Sequence, residues 1–174
     1  IQNHGSLEEG YHGWNPPDAV AFATSTADVS KLMQICNKHR VPVVSYGTGT
    51  SVEGHIDCTR GGLMIDLSRM NAILSVDVMD SDATVECGVT REQLNDNLRH
   101  QGLFFSVDPG ANASIGGMVA TNASGTTTIK YGNMGANVKG LTVVGHDGTV
   151  MKMGGRSNKS SAGYDMTSLM IGSE

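Results

Sequence analysis

The sequence predicts an α+β fold of two lobes: a small β-α-β lobe, then a larger, mostly antiparallel sheet with flanking helices. Three observations predict it. An amphipathic segment sits between two short apolar runs in residues 19–45. Two later apolar runs, 138–144 and 150–153, flank a turn signal, the pattern of a hairpin. Two glycine-rich loops, at 42–54 and 108–125, each follow a predicted strand or extended segment and carry hardly a charge.

Taken in order, residues 1–15 are polar and glycine-rich and read as an extended lead-in, and Pro16-Pro17 bars a helix there. The folded domain is expected to run over 16–174. Ala19–Ala23 is apolar and reads as a buried strand. Ser25 or Thr26 can cap a helix to about His39, with Val29, Leu32, Met33 and Cys36 on one face at helical spacing. Val41–Ser45 and Leu63–Leu67 are the next strands. Ile73–Val76 and Ala83–Cys87 follow with partial alternation. Thr90-Arg-Glu-Gln93 has the capping-box pattern and opens a helix to about His100, which Gly102 can end. Val138–Val144 and Val150–Met153 flank His146-Asp-Gly-Thr149, a hairpin signal. The stretch 154–163 is polar and flexible in character. Ile171-Gly-Ser-Glu174 has no turn chemistry after it and reads as an interruption. No internal repeat is present.

Composition excludes several classes. The 23 glycines cluster in loops without a period, against a collagen-like or low-complexity chain. Aromatic residues make up only 5%, so the core must be aliphatic, built from Val, Ile, Leu, Ala and Met. The net charge is −5 with no dense Lys/Arg cluster, against nucleic-acid binding. No apolar run has membrane-spanning length. Cys36, Cys58 and Cys87 form no CxxC pair, so neither a disulfide framework nor a zinc site is indicated, and a reducing compartment is the simplest reading. His4, His12, His39, His55, His100 and His146 show no ligand spacing.

The two loops carry the chemistry. A dinucleotide needs its pyrophosphate held without a solvated cation, and successive backbone amides in a tight turn form such an anion-binding nest. In the first loop, Gly47 and Gly49 let phosphate oxygens approach, Tyr46 precedes them, and Thr48, Thr50 and Ser51 add hydroxyls before Gly54. Gly47-x-Gly49 lacks the third glycine of the Rossmann fingerprint, and no Gly-Lys-Ser/Thr follows, so neither a nicotinamide Rossmann domain nor a P-loop is indicated. In the second loop, Asn112 or Ser114 can cap a short helix near Ile115-Gly116-Gly117, whose first amides would be a second anion site. Ala120, Ala123 and Gly125 are small enough to admit a ring edge-on, and Thr121, Asn122, Ser124 and Thr126 can hydrogen-bond to it. The competing readings are an ordinary turn for the first loop and a small-residue packing interface for the second.

The order Pro42…Gly47-Thr-Gly-Thr50…Gly54, Glu86-Cys-Gly-Val89, Val107-Asp-Pro-Gly-Ala111, Ala120-Thr-Asn-Ala-Ser-Gly125, Tyr131-Gly132 and Leu169-Met-Ile-Gly-Ser-Glu174 resembles the PCMH-type FAD-binding domain of the vanillyl-alcohol oxidase flavoprotein family. Gly-Thr-Gly-Thr-x-x-Glu-Gly, Val-Asp-Pro-Gly-Ala-x-Ala-Ser, His4-Gly5 with Trp14-x-Pro16-Pro-Asp-Ala-Val20, and Ser161-Ala-Gly-Tyr164 resemble its mitochondrial, cytochrome-linked D-lactate dehydrogenase branch. The resemblance covers essentially the whole chain. It implies non-covalent FAD lying between two lobes. Backbone amides of Gly47, Thr48, Gly49, Thr50 and Ser51 would hold the pyrophosphate, with Gly88 near the adenine end. Gly110, Ala113, Ser114, Gly116, Gly117, Ala120, Thr121, Ala123, Ser124, Gly125 and Thr126 would line the flavin and ribityl chain, Gly172 and Glu174 would close over part of the cofactor, and Tyr46, Gly54, Pro109 and Tyr131 would also bind it.

The resemblance also implies hydride transfer from C2 of a D-2-hydroxy acid such as D-lactate to flavin N5, an electron acceptor such as cytochrome c, and a mitochondrial setting. The substrate's base, divalent metal and arginine would come from a substrate domain after Glu174, so no catalytic or metal-binding residue is expected in this chain, and it is expected to be inactive alone. The chain departs from the family's pattern in three places. It stops at Gly-Ser-Glu, Cys87 stands where relatives have Pro and would loosen that turn, and His55 stands where they have Gly. His55 is therefore the one candidate for covalent flavin attachment. Two alternatives remain: a domain of the alkylglycerone-phosphate synthase type, disfavoured by Pro109-Gly110-Ala111, and an apo module dimerising through an unpaired sheet edge.

Overall fold

The computed structural model describes residues 15–157 and 159–174, so most of the expected lead-in, with His4, His12 and Trp14, lies outside the described residues. The first lobe is a parallel sheet of three strands, β1 (Ala19–Phe22), β2 (Val43–Tyr46) and β3 (Leu63–Asp66), in the order β1-β3-β2. Helix α1 (Thr26–His39) crosses from β1 to β2 and leaves a gap of one strand, which β3 fills. Ser25 caps α1 by accepting from the Asp28 amide, and Arg40 ends it in the left-handed region at φ 55°. Val29, Leu32 and Met33 pack from α1 onto Ala23, Ile65 and Met70, as their spacing requires.

The second lobe contains the expected antiparallel pairs, as two separate ladders. β4 (Ile73–Asp77) pairs with β5 (Asp82–Val85), with a register shift between Ile73 and Ser75 that explains the imperfect alternation. β6 (Gly140–Val144) pairs with β7 (Val150–Gly154) across the predicted turn. Arg156, just past β7, binds Asp77, Asp80 and Asp82 at 2.7–2.9 Å and so ties the end of one ladder to the turn of the other.

Helix α2 (Arg91–Leu98), continued by a 3₁₀ turn at Arg99–Gln101, ends at Gly102. Only half of its capping box forms. Thr90 Oγ1 accepts from the Gln93 amide, but the Gln93 side chain donates to the Asn71 carbonyl instead of reaching back. The second glycine loop leads into α3 (Ile115–Ala120), followed by two single-turn helices, α4 (Thr128–Tyr131) and α5 (Met134–Asn137). A last short helix, α6 (Met166–Met170), precedes the final residues. Two more apolar clusters hold this lobe: Val89, Leu94 and Leu98 under the β4–β5 ladder, and Val107, Met118 and Met134 around α3. Met64, Met118 and Met134 are among the largest fully buried side chains, in keeping with a core short of aromatics.

Candidate cofactor site

The first glycine loop leaves the carboxyl end of β2, the end of a parallel sheet where ligands of open α/β folds collect. Among the described residues, no backbone amide from Gly47 to Ser51 has a protein acceptor. Neighbouring backbone is tied down: the Leu67 amide donates to the Tyr46 carbonyl and the Asp57 amide to the Gly54 carbonyl, each at 3.0 Å. A run of unengaged amides in a short turn is an anion-binding nest in composition and in placement. Gly49 takes φ +65°, and a side chain there would lie 2.7 Å from the Tyr46 hydroxyl, so the Tyr46 ring underlies the turn and holds its shape. Burial raises the Tyr46 phenol, and the Asp66 carboxylate on the neighbouring strand adds to the effect.

The two loops meet at Gly47. A Cβ on Gly47 would stand 2.3 Å from Ser114 Oγ, so this glycine is required by close approach rather than by backbone angle. Ser114 is 2% exposed and caps α3, accepting from the Gly117 amide. Asn112, the other cap expected for α3, instead accepts from the Glu92 amide at the start of α2. The amides at the start of α3 are engaged: Ile115 donates to the Val89 carbonyl at 2.7 Å and Gly116 to the Cys87 carbonyl at 2.8 Å. The expected second anion site at this helix start is therefore corrected: those N–H groups stitch the helix to the turn after β5. The same bonds correct the expectation of a loosened turn at Cys87. Gly88 also donates to the Met70 carbonyl at 2.7 Å, and the turn is closed.

Several glycines and alanines of the second loop serve packing rather than ligand access. A side chain at Gly116 would meet the Cys87 Cβ at 2.6 Å, one at Gly125 the Asp108 carbonyl at 2.2 Å, and one at Gly88 the Leu67 carbonyl at 2.3 Å. Ala113 and Ala123 pack on the Val107–Met118–Met134 cluster. Gly110, by contrast, faces open space, and Pro109 and Ser124 are at least partly accessible. The Thr121 hydroxyl donates to the Gly117 carbonyl and that of Thr126 to Asp108, so each has only acceptor capacity left for a ligand. Tyr131 packs edge-on against Phe104, with ring centroids 5.5 Å apart, and Lys130 lies over its face.

Asp108, which sequence reasoning passed over, organises the second loop. Its carboxylate accepts from the Thr126 hydroxyl at 2.6 Å, the Thr127 amide at 3.0 Å and the Thr127 hydroxyl at 2.9 Å. Those bonds, the Thr126 hydroxyl foremost, hold its pKa down to about 2. The signal was present in the sequence, since Asp before Pro-Gly is a turn initiator.

The final residues dock on the same place. Gly172 donates to the Val119 carbonyl at 2.9 Å and Glu174 to the Ala120 carbonyl at 3.0 Å. The Glu174 side chain meets Glu53 of the first loop, and their shared hydrogen bond raises the Glu53 carboxyl. His55 joins them, the three groups offering ligand atoms within 4.8 Å of one another, and its Nδ1 lies 3.4 Å from Ser51 Oγ. Loop one, loop two with α3, and the Gly172–Glu174 segment thus converge. Among the described residues, no helix is long and apolar enough to cross a membrane.

Comparison with known proteins agrees with this geometry. Residues 17–154 match the family described as FAD binding domain. A probable mitochondrial D-lactate dehydrogenase of Danio rerio is 46% identical over 99% of this chain and 35% of its own length. A mitochondrial D-lactate dehydrogenase (cytochrome) of Arabidopsis thaliana is 46% identical over 98% of this chain and 30% of its own. A solved alkyldihydroxyacetonephosphate synthase superposes with a TM-score of 0.80 at 27% identity, covering 91% of this chain and 29% of that one. The chain thus spans about a third of the length of these relatives. The residues present fit the cofactor: an open nest at the carboxyl end of a parallel sheet, faced by a second loop of small residues. The chain belongs to the FAD-binding domain family, with a PCMH-type fold and FAD as its cofactor.

Proposed function

We propose that this domain holds the FAD of a dehydrogenase that oxidises D-lactate or a similar D-2-hydroxy acid. The observation that carries the reading is the run of unengaged amides from Gly47 to Ser51, set against Ser114 of the second loop. Those amides would take the pyrophosphate, with Thr48, Thr50 and Ser51 adding hydroxyls. Pro109, Gly110 and Ser124, on the accessible side of the second loop, would border the flavin, and Gly172–Glu174 would close the third side. When bound, FAD supplies the acceptor for the substrate's C2 hydride and passes the electrons to an acceptor such as cytochrome c. The chain's own part is to bind the cofactor, exclude water from it and fix its orientation. The groups that take the hydroxyl proton and bind the carboxylate belong, in this reading, to the two thirds of the relatives that this chain does not cover, and the isolated domain does not turn over. The names of these mitochondrial relatives support a mitochondrial setting.

The test is a titration of the flavin-free protein with FAD and with riboflavin, followed by visible absorption after desalting. A nest for pyrophosphate requires FAD to be retained and riboflavin, which has no phosphate, to be lost. Equal retention of both would remove the amide run from the argument. The structural likeness to the alkyldihydroxyacetonephosphate synthase favours a second reading, a transferase with no net oxidation. Bleaching of the flavin bands by D-lactate in a protein that carries the relatives' full length decides between them.

A further inference from the structure

The hydroxyls of the first glycine loop differ in what becomes of their hydrogens. Thr48 Oγ1 and Thr50 Oγ1 lie 3.3 Å apart, so one of their two hydrogens is spent between them. Ser51 Oγ accepts from the Glu53 amide at 3.4 Å and meets His55 Nδ1 at 3.4 Å. A hydroxyl has one hydrogen and two lone pairs. With one lone pair taken by Glu53, the contact with His55 decides what is left for a ligand. If Nδ1 donates, it fills the second lone pair and the Ser51 hydrogen stays free. If Nδ1 accepts, that hydrogen is spent and only a lone pair remains.

An imidazolium carries hydrogen on both nitrogens, so its Nδ1 must donate, whereas a neutral ring can accept there. Histidine side chains change between these forms at about pH 5 to 8. Among the described residues, the charged groups facing the ring are Glu53 of its own loop and Glu174 of the terminal segment, with ligand atoms of all three within 4.8 Å of one another. Helix α3, on which the terminal segment docks, adds no titratable side chain. An ionised carboxylate only accepts, so a neutral ring that serves these groups from Nε2 has Nδ1 bare towards Ser51. Ser51 is also the last residue of the unengaged amide run, which puts its hydroxyl at the end of the nest. Towards a phosphate oxygen, a hydrogen makes a charge-assisted bond and a lone pair makes none.

We propose that His55 is a positioning residue for the cofactor, a role that rests on this domain holding FAD. Its protonation sets, through Ser51, whether the end of the nest offers the pyrophosphate a donor or a lone pair. FAD is therefore held more tightly at the lower pH, and Ser51 is the residue through which the difference acts.

The test measures FAD affinity of the whole flavin-free chain by fluorescence quenching at about pH 5.5 and about pH 8, in the unaltered protein and in Ser51→Ala, with riboflavin as the control. The expected result is that Ser51→Ala weakens FAD by a factor about tenfold or more larger at the lower pH than at the higher, with no such difference for riboflavin. A ring that acted by its charge or its packing alone would leave the cost of Ser51→Ala the same at both pH values. An equal cost, or none at either pH, would overturn the proposal. His55→Asn cannot titrate and should remove the difference, and its persistence there would overturn the proposal as well. Should either variant fail to fold, imidazole nitrogen NMR of the unaltered chain decides. A bare Nδ1 in the neutral ring is required, and a hydrogen on Nδ1 at both pH values would leave Ser51 always free and refute the switch. Failure to bind FAD at either pH would remove the flavin reading and this role together, whereas FAD bound with a flat pH profile would remove this role alone.

Discussion

Substituting Gly47 by Ala tests the contact on which the cofactor site depends. Gly47 is not in the left-handed region, so Ala costs nothing in backbone angle; its Cβ would lie 2.3 Å from Ser114 Oγ and 3.5 Å from Ser114 Cβ. The first distance is a collision and the second an ordinary contact, so the whole penalty resides in one hydroxyl oxygen. Overpacking of this kind costs about 1–3 kcal/mol. Ser114→Ala removes that oxygen and with it a helix cap worth about 0.5–2 kcal/mol, here at the low end because the bond to the Gly117 amide is 3.4 Å long. The double variant loses the cap but not the fit, and should be more stable than the sum of the singles by about 1–2 kcal/mol. Urea midpoints at constant slope measure the cycle, and quenching of FAD fluorescence measures affinity for the same proteins. Additivity to within about 0.5 kcal/mol would mean that the two loops do not touch, and the site described above would not exist as drawn.

Gly49→Ala and Gly110→Ala should behave oppositely. The first forces a side chain into φ +65° against the Tyr46 hydroxyl, and should cost about 1–2 kcal/mol for the backbone alone and most of the FAD affinity. The second meets nothing within 4 Å and should be neutral to within about 0.5 kcal/mol, as urea melts of the pair would show. The site should also respond to pH at two carboxyls of opposite sign. Asp108 is depressed from 3.8 to about 2, so its hold on Thr126 and Thr127 is fully present above 3.8 and lost as the pH falls towards 2. Glu53 is raised above 4.5, so its bond to Glu174 is fully present below 4.5 and lost as the pH rises through the elevated value. Amide hydrogen exchange at Thr127 and Glu174 reads the two events separately. Parallel behaviour at both amides would refute the assignment.

Much of the architecture was legible because it is local. The spacing of Val29, Leu32, Met33 and Cys36 needs one helix with one buried face, and Ser25 can only start it. His146-Asp-Gly-Thr149 closes a hairpin through the geometry of a few residues. The first loop's glycines announce a turn that brings backbone to a ligand, since no other residue reaches those angles or distances cheaply. The family pattern over the chain named the cofactor for the same reason: loops that must wrap one molecule leave little freedom in their residues.

What the sequence left open depends on partners far away in the chain. Nothing near Leu63–Asp66 says that β3 enters between β1 and β2, because that place is decided by the width of the gap that α1 leaves. Gly47 and Gly49 look equivalent in sequence, yet one is held by Ser114 and the other by φ and Tyr46. Helix α3 reads as an anion site until the Cys87 and Val89 carbonyls are found on its first amides, which takes those donors out of play. Nothing in the residues around Asp57 says that the fold buries it. Residue types and spacing therefore determined which segments could bind a dinucleotide. The tertiary structure decided which donors remain free to do so, because a hydrogen bond or collision made across the chain is invisible to any local pattern.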